Sequence, residues 1–192
     1  MSAPSHKLES IKFFTLDEIK RLFAVISGKR DRAIFLIGYR HGLRASEIGL
    51  LQIQDVDFER QKIMIRRLKG SLSGVHPLQA DEARMLKSYL KTRNSQSPYL
   101  FISNRNLPIS RKTLDVLIKN YGKKAKLPED KCHFHALKHS IATHLLEADA
   151  DLRFLQDWLG HANIQNTVIY AALVSTTRER KAREHFFKLP KF

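Results

Sequence analysis

HALKHSIATHLLEADADLRFLQDWLGH, residues 135–161, is the stretch on which the fold turns. Ile141, Ala142, Leu145 and Leu146 recur at helical spacing and make one core face. A second helix, DLRFLQDWLG, follows and closes at Gly160, with Trp158 and Leu159 on its core side. NIQNTVIYAAL then reads as a short third helix that Asn163 can cap. Histidine is concentrated at the start of this array. CHFHALKHSIATH, residues 132–144, holds four of the nine histidines and the only cysteine. His135 and His139 lie four apart, as metal ligands on one helix face would. Yet no Glu follows His135 as in the metalloprotease helix pattern. Lys138 also sets a fixed cation beside the presumed ligands, opposing a dication. Spacing alone leaves three readings: a metal site, a helix with structural histidines, or a site for an anion. His139 and His144 fit hydrogen-bonded scaffold, as do Cys132 and His133.

Working outward, the rest of the chain is mainly helical with one small sheet. Residues 1–12 make a short arm. TLDEIKRLFAVI opens a helix, with Thr15 and Glu18 at capping-box spacing. DRAIFLIGYRHGLR is a second helix that ends near Gly42. ASEIGLLQ starts another at once, so Arg44 sits at a helix–helix junction. IQDVDF, KIMIRRL and SGVHPL alternate in strand fashion and predict three short antiparallel strands. QADEARMLKSYLKT is helical, SPYLFISN extended, and SRKTLDVLIKNYGKKAK a helix that stops near Gly122 and Pro128. The expected fold is α+β, mainly α with a three-stranded antiparallel sheet. It divides into the arm, one domain over 13–175, and a tail over 176–192.

Charge narrows the function. The 192 residues carry a formal net charge of +15, more than solubility needs, which points to a polyanion and to nucleic acid before a membrane surface. One cysteine excludes an internal disulfide and a thiolate-rich zinc site. The N-terminus has no apolar signal core, and no run approaches the roughly 20 apolar residues of a membrane span. These features predict a soluble, cytoplasmic, nucleoid-associated protein with no membrane partner. Phosphoryl transfer needs cationic donors around the phosphate oxygens, a nucleophile, and an acid for the leaving oxygen. Arg44, Lys69, His135, Lys138, His161 and Tyr170 could supply all of these without a metal, though spacing alone does not single out one of the five tyrosines.

HGLRASEIGLLQIQDVDF, RLKGSLSGVHPL, HALKHSIATHLLEADADLRFLQDWLGH and NTVIYAAL together resemble the tyrosine recombinase (phage integrase) family. The similarity runs from about Lys12 to beyond Tyr170, with the motifs in the family's order. His161 follows His135 by 26 positions, and Tyr170 follows His161 by nine. The resemblance implies a site-specific DNA recombinase that works through a 3′-phosphotyrosyl intermediate, with no cofactor and no metal. A non-catalytic DNA-binding regulator on the same fold is the alternative. A monomeric type IB topoisomerase is a third class that shares the chemistry.

The implied roles are these. Tyr170 attacks the phosphodiester and frees a 5′-hydroxyl. Arg44 contacts the scissile phosphate, and Glu47 helps to hold Arg44. Lys69, beside Gly70 in the β-turn, is the general acid, preferred over Arg66 and Arg67. His135 assists proton transfer and positions the nucleophile, and His161 hydrogen-bonds the phosphate. Lys138 takes the place of the family's second arginine, where HxxR is usual and this chain reads HALK. That keeps the charge and loses the bidentate fork. Arg66 and Arg67, with Lys119, Lys123 and Lys124 of KNYGKKAK, are candidate contacts to double-stranded DNA; a solvated helix end is the other reading of that run. Most relatives carry a separate core-binding domain ahead of this one. Only about a dozen residues precede the first helix here, so the sequence is either a truncated one or a short recombinase of the fimbrial-switch type. The tail, with six Lys/Arg, two Asp/Glu, Phe186, Phe187, Leu189 and Phe192, docks either on its own protomer or on a neighbour in a transient homotetramer on DNA.

Overall fold

The computed structural model describes residues 11–68, 70–173 and 187. Its helices are α1 (Leu16–Val25), α2 (Lys29–Arg40), α3 (Ala45–Leu50), α4 (Ala80–Leu90), α5 (Arg111–Lys124), α6 (His135–Glu147), α7 (Leu152–Leu159) and α8 (Gln165–Ala171). Three strands, β1 (Val56–Asp57), β2 (Lys62–Ile65) and β3 (Gly74–Pro77), form one antiparallel sheet in the order β1-β2-β3. The expected architecture, mainly α with a three-stranded antiparallel sheet, is the observed one.

Local chemistry fixes the element ends. At α1 the Thr15 hydroxyl accepts from the Glu18 N–H, and the Glu18 carboxylate accepts from the Thr15 N–H, a closed capping box. Gly42 ends the α2 region at φ +57°, a conformation that a side chain resists. A Cβ there would also meet Leu159 Cδ2 at 2.6 Å. In β2 the inward residues alternate: Ile63 and Ile65 are buried, Lys62 and Met64 are not. The same phase continues beyond the ladder, with Arg66 outward and Arg67 inward.

Two expectations shift. IQDVDF contributes a 3-10 turn, Ile53–Asp55, and only a two-residue strand. Gly122 does not stop α5, which runs through it to Lys124. Its hydrogen is needed because Cys132 packs there; a Cβ would lie 2.3 Å from Sγ.

Packing places the site at a seam. The larger core gathers Phe35, Ile37, Leu43, Ile48, Ile63, Phe101 and Phe134 with their neighbours from α1–α6 and the sheet. A smaller one gathers Ile141, Ala142, Leu146, Leu155, Leu159 and Tyr170 from α6, α7 and α8. Helix α6 contributes to both cores and packs on α2, α7 and α8. No described helix is long and apolar enough to cross a membrane.

Close approach of α3 to the chain before α5 supplies a test of this packing. A Cβ on Gly49 would sit 2.7 Å from the Ile109 carbonyl oxygen, a backbone atom with little freedom to move. Gly49→Ala is expected to destabilise the protein by about 1–3 kcal/mol in urea unfolding, despite the better helix propensity of Ala.

Candidate active site

The site is built where four segments meet: the α2–α3 link, the β2–β3 loop, α6, and the α7–α8 region. Arg44 caps α3, and Glu47 lies one turn on. The Arg44 N–H donates to Glu47 Oε2 at 2.8 Å, and Arg44 Nη1 donates to Oε1 at 2.8 Å. Arg67 Nη1 reaches Oε2 at 3.0 Å. Glu47 is fully buried. Burial pushes its carboxyl up, but the Arg44 N–H, Arg67, Lys138 and the Arg44 guanidinium outweigh that and hold it below the usual range.

Arg67 corrects the sequence reading. Its guanidinium is 1% exposed, so it is not a DNA-contacting residue of the kind expected. Besides Glu47 it donates to the Gly42, His41 and Trp158 carbonyls at 2.8, 2.9 and 2.8 Å. It is a pin that ties β2 to the α2–α3 link and to α7. The signal was present in the strand period, which turns Arg67 to the same side as Ile63 and Ile65. Arg66 points outward as expected and pairs with Asp55 at 2.8 Å.

The loop after β2 latches onto the far side of the site. The Leu72 N–H donates to the Gly160 carbonyl at 2.9 Å, and Ser71 bridges His161. Gly160, at φ +65°, allows this approach; a Cβ would meet Leu72 O at 2.5 Å. Ser71 Oγ accepts from Arg44 at 3.0 Å. Lys69, the expected general acid, lies outside the described residues, next to Gly70.

Lys138 is buried, and its Nζ donates to the Leu159 carbonyl at 2.9 Å. Desolvation, with Arg67 and Arg44 nearby, lowers its pKa to about 7, while Glu47 pulls the other way. His161 is buried and shares a hydrogen bond with Thr167 Oγ1 at 3.0 Å. Burial, Lys138 and the two arginines lower its pKa to about 4. His135, the first residue of α6, keeps an exposed edge. Desolvation of the rest of its ring, with Lys138 and Arg44, lowers its pKa to about 4. Both rings are therefore neutral near pH 7.

Tyr170 is 2% exposed, and burial pushes its phenol well up. Its hydroxyl is hydrogen-bonded to His139 Nδ1 at 2.9 Å. The sequence reading took His139 as hydrogen-bonded scaffold; its partner is the Tyr170 hydroxyl, and it shares a helix face with His135 at i, i+4. The two imidazoles meet edge-on, with centroids 4.4 Å apart. His144 does behave as scaffold, bonded to the Tyr39 hydroxyl at 2.8 Å.

In front of these groups lies a cleft of about 400 Å³, lined by Arg44, Ser46, Arg111, Lys119, His133 and His135, with Asp115 among them. Lys119, Lys123 and Lys124 are exposed on α5. Among the described residues, no group of three or more His, Cys, Asp or Glu side chains is placed to hold a metal. The donors that converge are cationic, and they suit an anion.

Known proteins resemble this chain in sequence and fold. The phage integrase family matches residues 12–176. Tyrosine recombinase XerA of Pyrococcus horikoshii is 42% identical over 176 residues, 90% of this chain and 60% of that protein. Type 1 fimbriae regulatory protein FimE of Escherichia coli K12 is 35% identical over 170 residues, 84% of this chain and 85% of that one. The crystal structure of XerA recombinase matches with a TM-score of 0.79 at 32% identity, over 94% of this chain and 66% of that one. XerH bound to a palindromic difH substrate in a post-cleavage complex matches with a TM-score of 0.76 at 25% identity, over 90% and 52%. The chain thus spans about three-fifths of the length of the XerA proteins that it matches.

Two stability measurements test the buried charges. Arg67→Ala leaves Glu47 short of a partner and should cost about 3–5 kcal/mol in urea unfolding, whereas Arg66→Ala, which removes a half-exposed partner of Asp55, should cost clearly less. Lys138→Met should stabilise the protein by about 1–2 kcal/mol at pH 7, because it removes a buried charge. Between the folded pKa of about 7 and the model value of 10.5, the unfolded chain binds the extra proton, so Lys138 makes stability rise with pH. The gain from Met should therefore be largest below pH 7 and fade towards pH 10.5.

Proposed function

The chain belongs to the phage integrase family, and on that premise we propose that it is a site-specific DNA recombinase that cuts and rejoins strands through a 3′-phosphotyrosyl bond to Tyr170. One observation carries this reading: Arg44, Arg67 and Lys138 all draw on the single carboxylate of Glu47. The site therefore holds more positive than negative charge before any substrate arrives. A phosphodiester supplies the missing anion, and the fixed donors stabilise the charge that builds in the transition state.

Arg44, whose side chain is about a third exposed, meets the scissile phosphate from the cleft. Lys138 adds a point charge from behind, and His161 is a further hydrogen-bonding group for the phosphate. Tyr170 Oη attacks phosphorus, so that an Oη–P bond forms and the P–O5′ bond breaks. The phenol gives up its proton, and O5′ gains one from the general acid, Lys69 by resemblance. Religation runs the same steps backwards. The phosphotyrosyl bond conserves the energy of the phosphodiester, and the scheme draws on neither ATP nor a metal. Arg66, Lys119, Lys123 and Lys124 take flanking phosphates of double-stranded DNA. Exchange between two sites engages four protomers in a transient homotetramer, with the tail at 176–192 as the linking segment. Apart from Phe187, which is exposed, that tail lies outside the described residues, as do residues 1–10 of the arm.

A single-turnover assay on a pool of nicked duplexes of randomised sequence tests the reading. The native chain should give an SDS-stable protein–DNA adduct, and Tyr170→Phe none. Lys138→Met should slow adduct formation about 30- to 1000-fold, the effect of losing one charged donor from the transition state. DNA binding without an adduct would favour the regulator. Relaxation of supercoiled plasmid without site preference would favour the topoisomerase.

A further inference from the structure

The geometry points to His139 as a further catalytic residue of this reaction: its Nδ1 accepts the hydrogen bond of the Tyr170 hydroxyl and takes its proton during attack. The inference rests on the proposed recombinase chemistry and adds to it a partner for the nucleophile. Resemblance gave the task of positioning the tyrosine to His135. The structure instead brings His139 to the hydroxyl, with Nδ1 2.9 Å from Oη.

The direction of that bond follows from the two groups. Burial holds the phenol protonated, so the hydroxyl has one hydrogen to give. Burial, His135, His133 and Lys138 lower the His139 pKa to about 3, so the ring is neutral and has one bare nitrogen. An imidazole nitrogen is a far better acceptor than a phenol oxygen, and the phenol the better donor. The stable pairing is O–H to Nδ1, with the ring proton on Nε2. The bond fixes the hydroxyl rotor of a side chain that is otherwise held by packing among Ile141, Leu155 and Leu159.

In the chemical step Oη bonds to phosphorus, the P–O5′ bond breaks, and the Oη proton moves to Nδ1. His139 becomes an imidazolium, and the proton returns when Oη leaves at religation. Free of DNA, His139 is a weak base. An incoming phosphodiester brings negative charge up to Lys138 and His135, two of the neighbours that depress it. Its basicity then rises when the nucleophile is needed, and the buried phenol is not activated before DNA is bound.

The test uses His139→Ala, His139→Asn and His139→Gln in the full chain, alongside the native protein. An Asn amide reaches the place of Nδ1, and a Gln amide that of Nε2. In the same adduct assay all three should lose about 10²–10⁴-fold in cleavage rate, because an amide can accept the hydroxyl's hydrogen bond but cannot take its proton. DNA affinity should stay within about threefold of native in all three, which shows that they fold. Nitrogen NMR of the DNA-free protein should find Nδ1 bare and Nε2 protonated. Cleavage by His139→Ala at the native rate, cleavage by His139→Asn near the native rate, or a proton on Nδ1 would overturn the inference while leaving the recombinase reading intact. Absence of any adduct with the native chain would instead sink that reading, and this inference with it.

Discussion

Everything in this site depends on one buried carboxylate having too few negative charges to go round. Glu47 caps α3 through the Arg44 N–H, orients the Arg44 guanidinium and anchors Arg67. Removing a carboxylate from water is costly, and two guanidiniums offset that cost. The same two guanidiniums, with Lys138 behind them, are more cation than Glu47 neutralises. The fold accepts this imbalance because Arg67 is also held by three backbone carbonyls and Lys138 by a fourth. Structure and function therefore compete at the same atoms.

The role of Lys138 follows from this competition. An arginine here would offer a rigid fork to two phosphate oxygens. A lysine offers one compact charge, and its Nζ donates to the Leu159 carbonyl. Its pKa of about 7 means that the charge is not fixed, and a bound phosphate would restore it.

Much of this was legible in the sequence, and the parts that were not have physical reasons. Periodicity and caps gave α1, α6 and α7, because their apolar faces and terminal residues act locally. The HALK motif marked Lys138, one of the cations near Glu47, and His135, whose ring meets that of His139 edge-on. Arg67 was misjudged because its charge suggested solvent, whereas its place in the β2 alternation turned it inward. Its partners come from 20, 25, 26 and 91 positions away in sequence, which no local pattern reports. The partner of His139, Tyr170, lies 31 positions on, in a helix whose docking on α6 is a tertiary fact that no local pattern reports. Gly122 looked like a helix stop, and only the approach of Cys132 explains a glycine inside α5.

The central claim is that this charge-deficient pocket serves one nucleophile, Tyr170. Peptide mapping by mass spectrometry of the protein after reaction with nicked DNA tests it most directly. A single modified peptide is expected, spanning Tyr170 and carrying the 3′-phosphate end of the cleaved strand on that tyrosine. An adduct on any other residue, or none while DNA is bound, would contradict it.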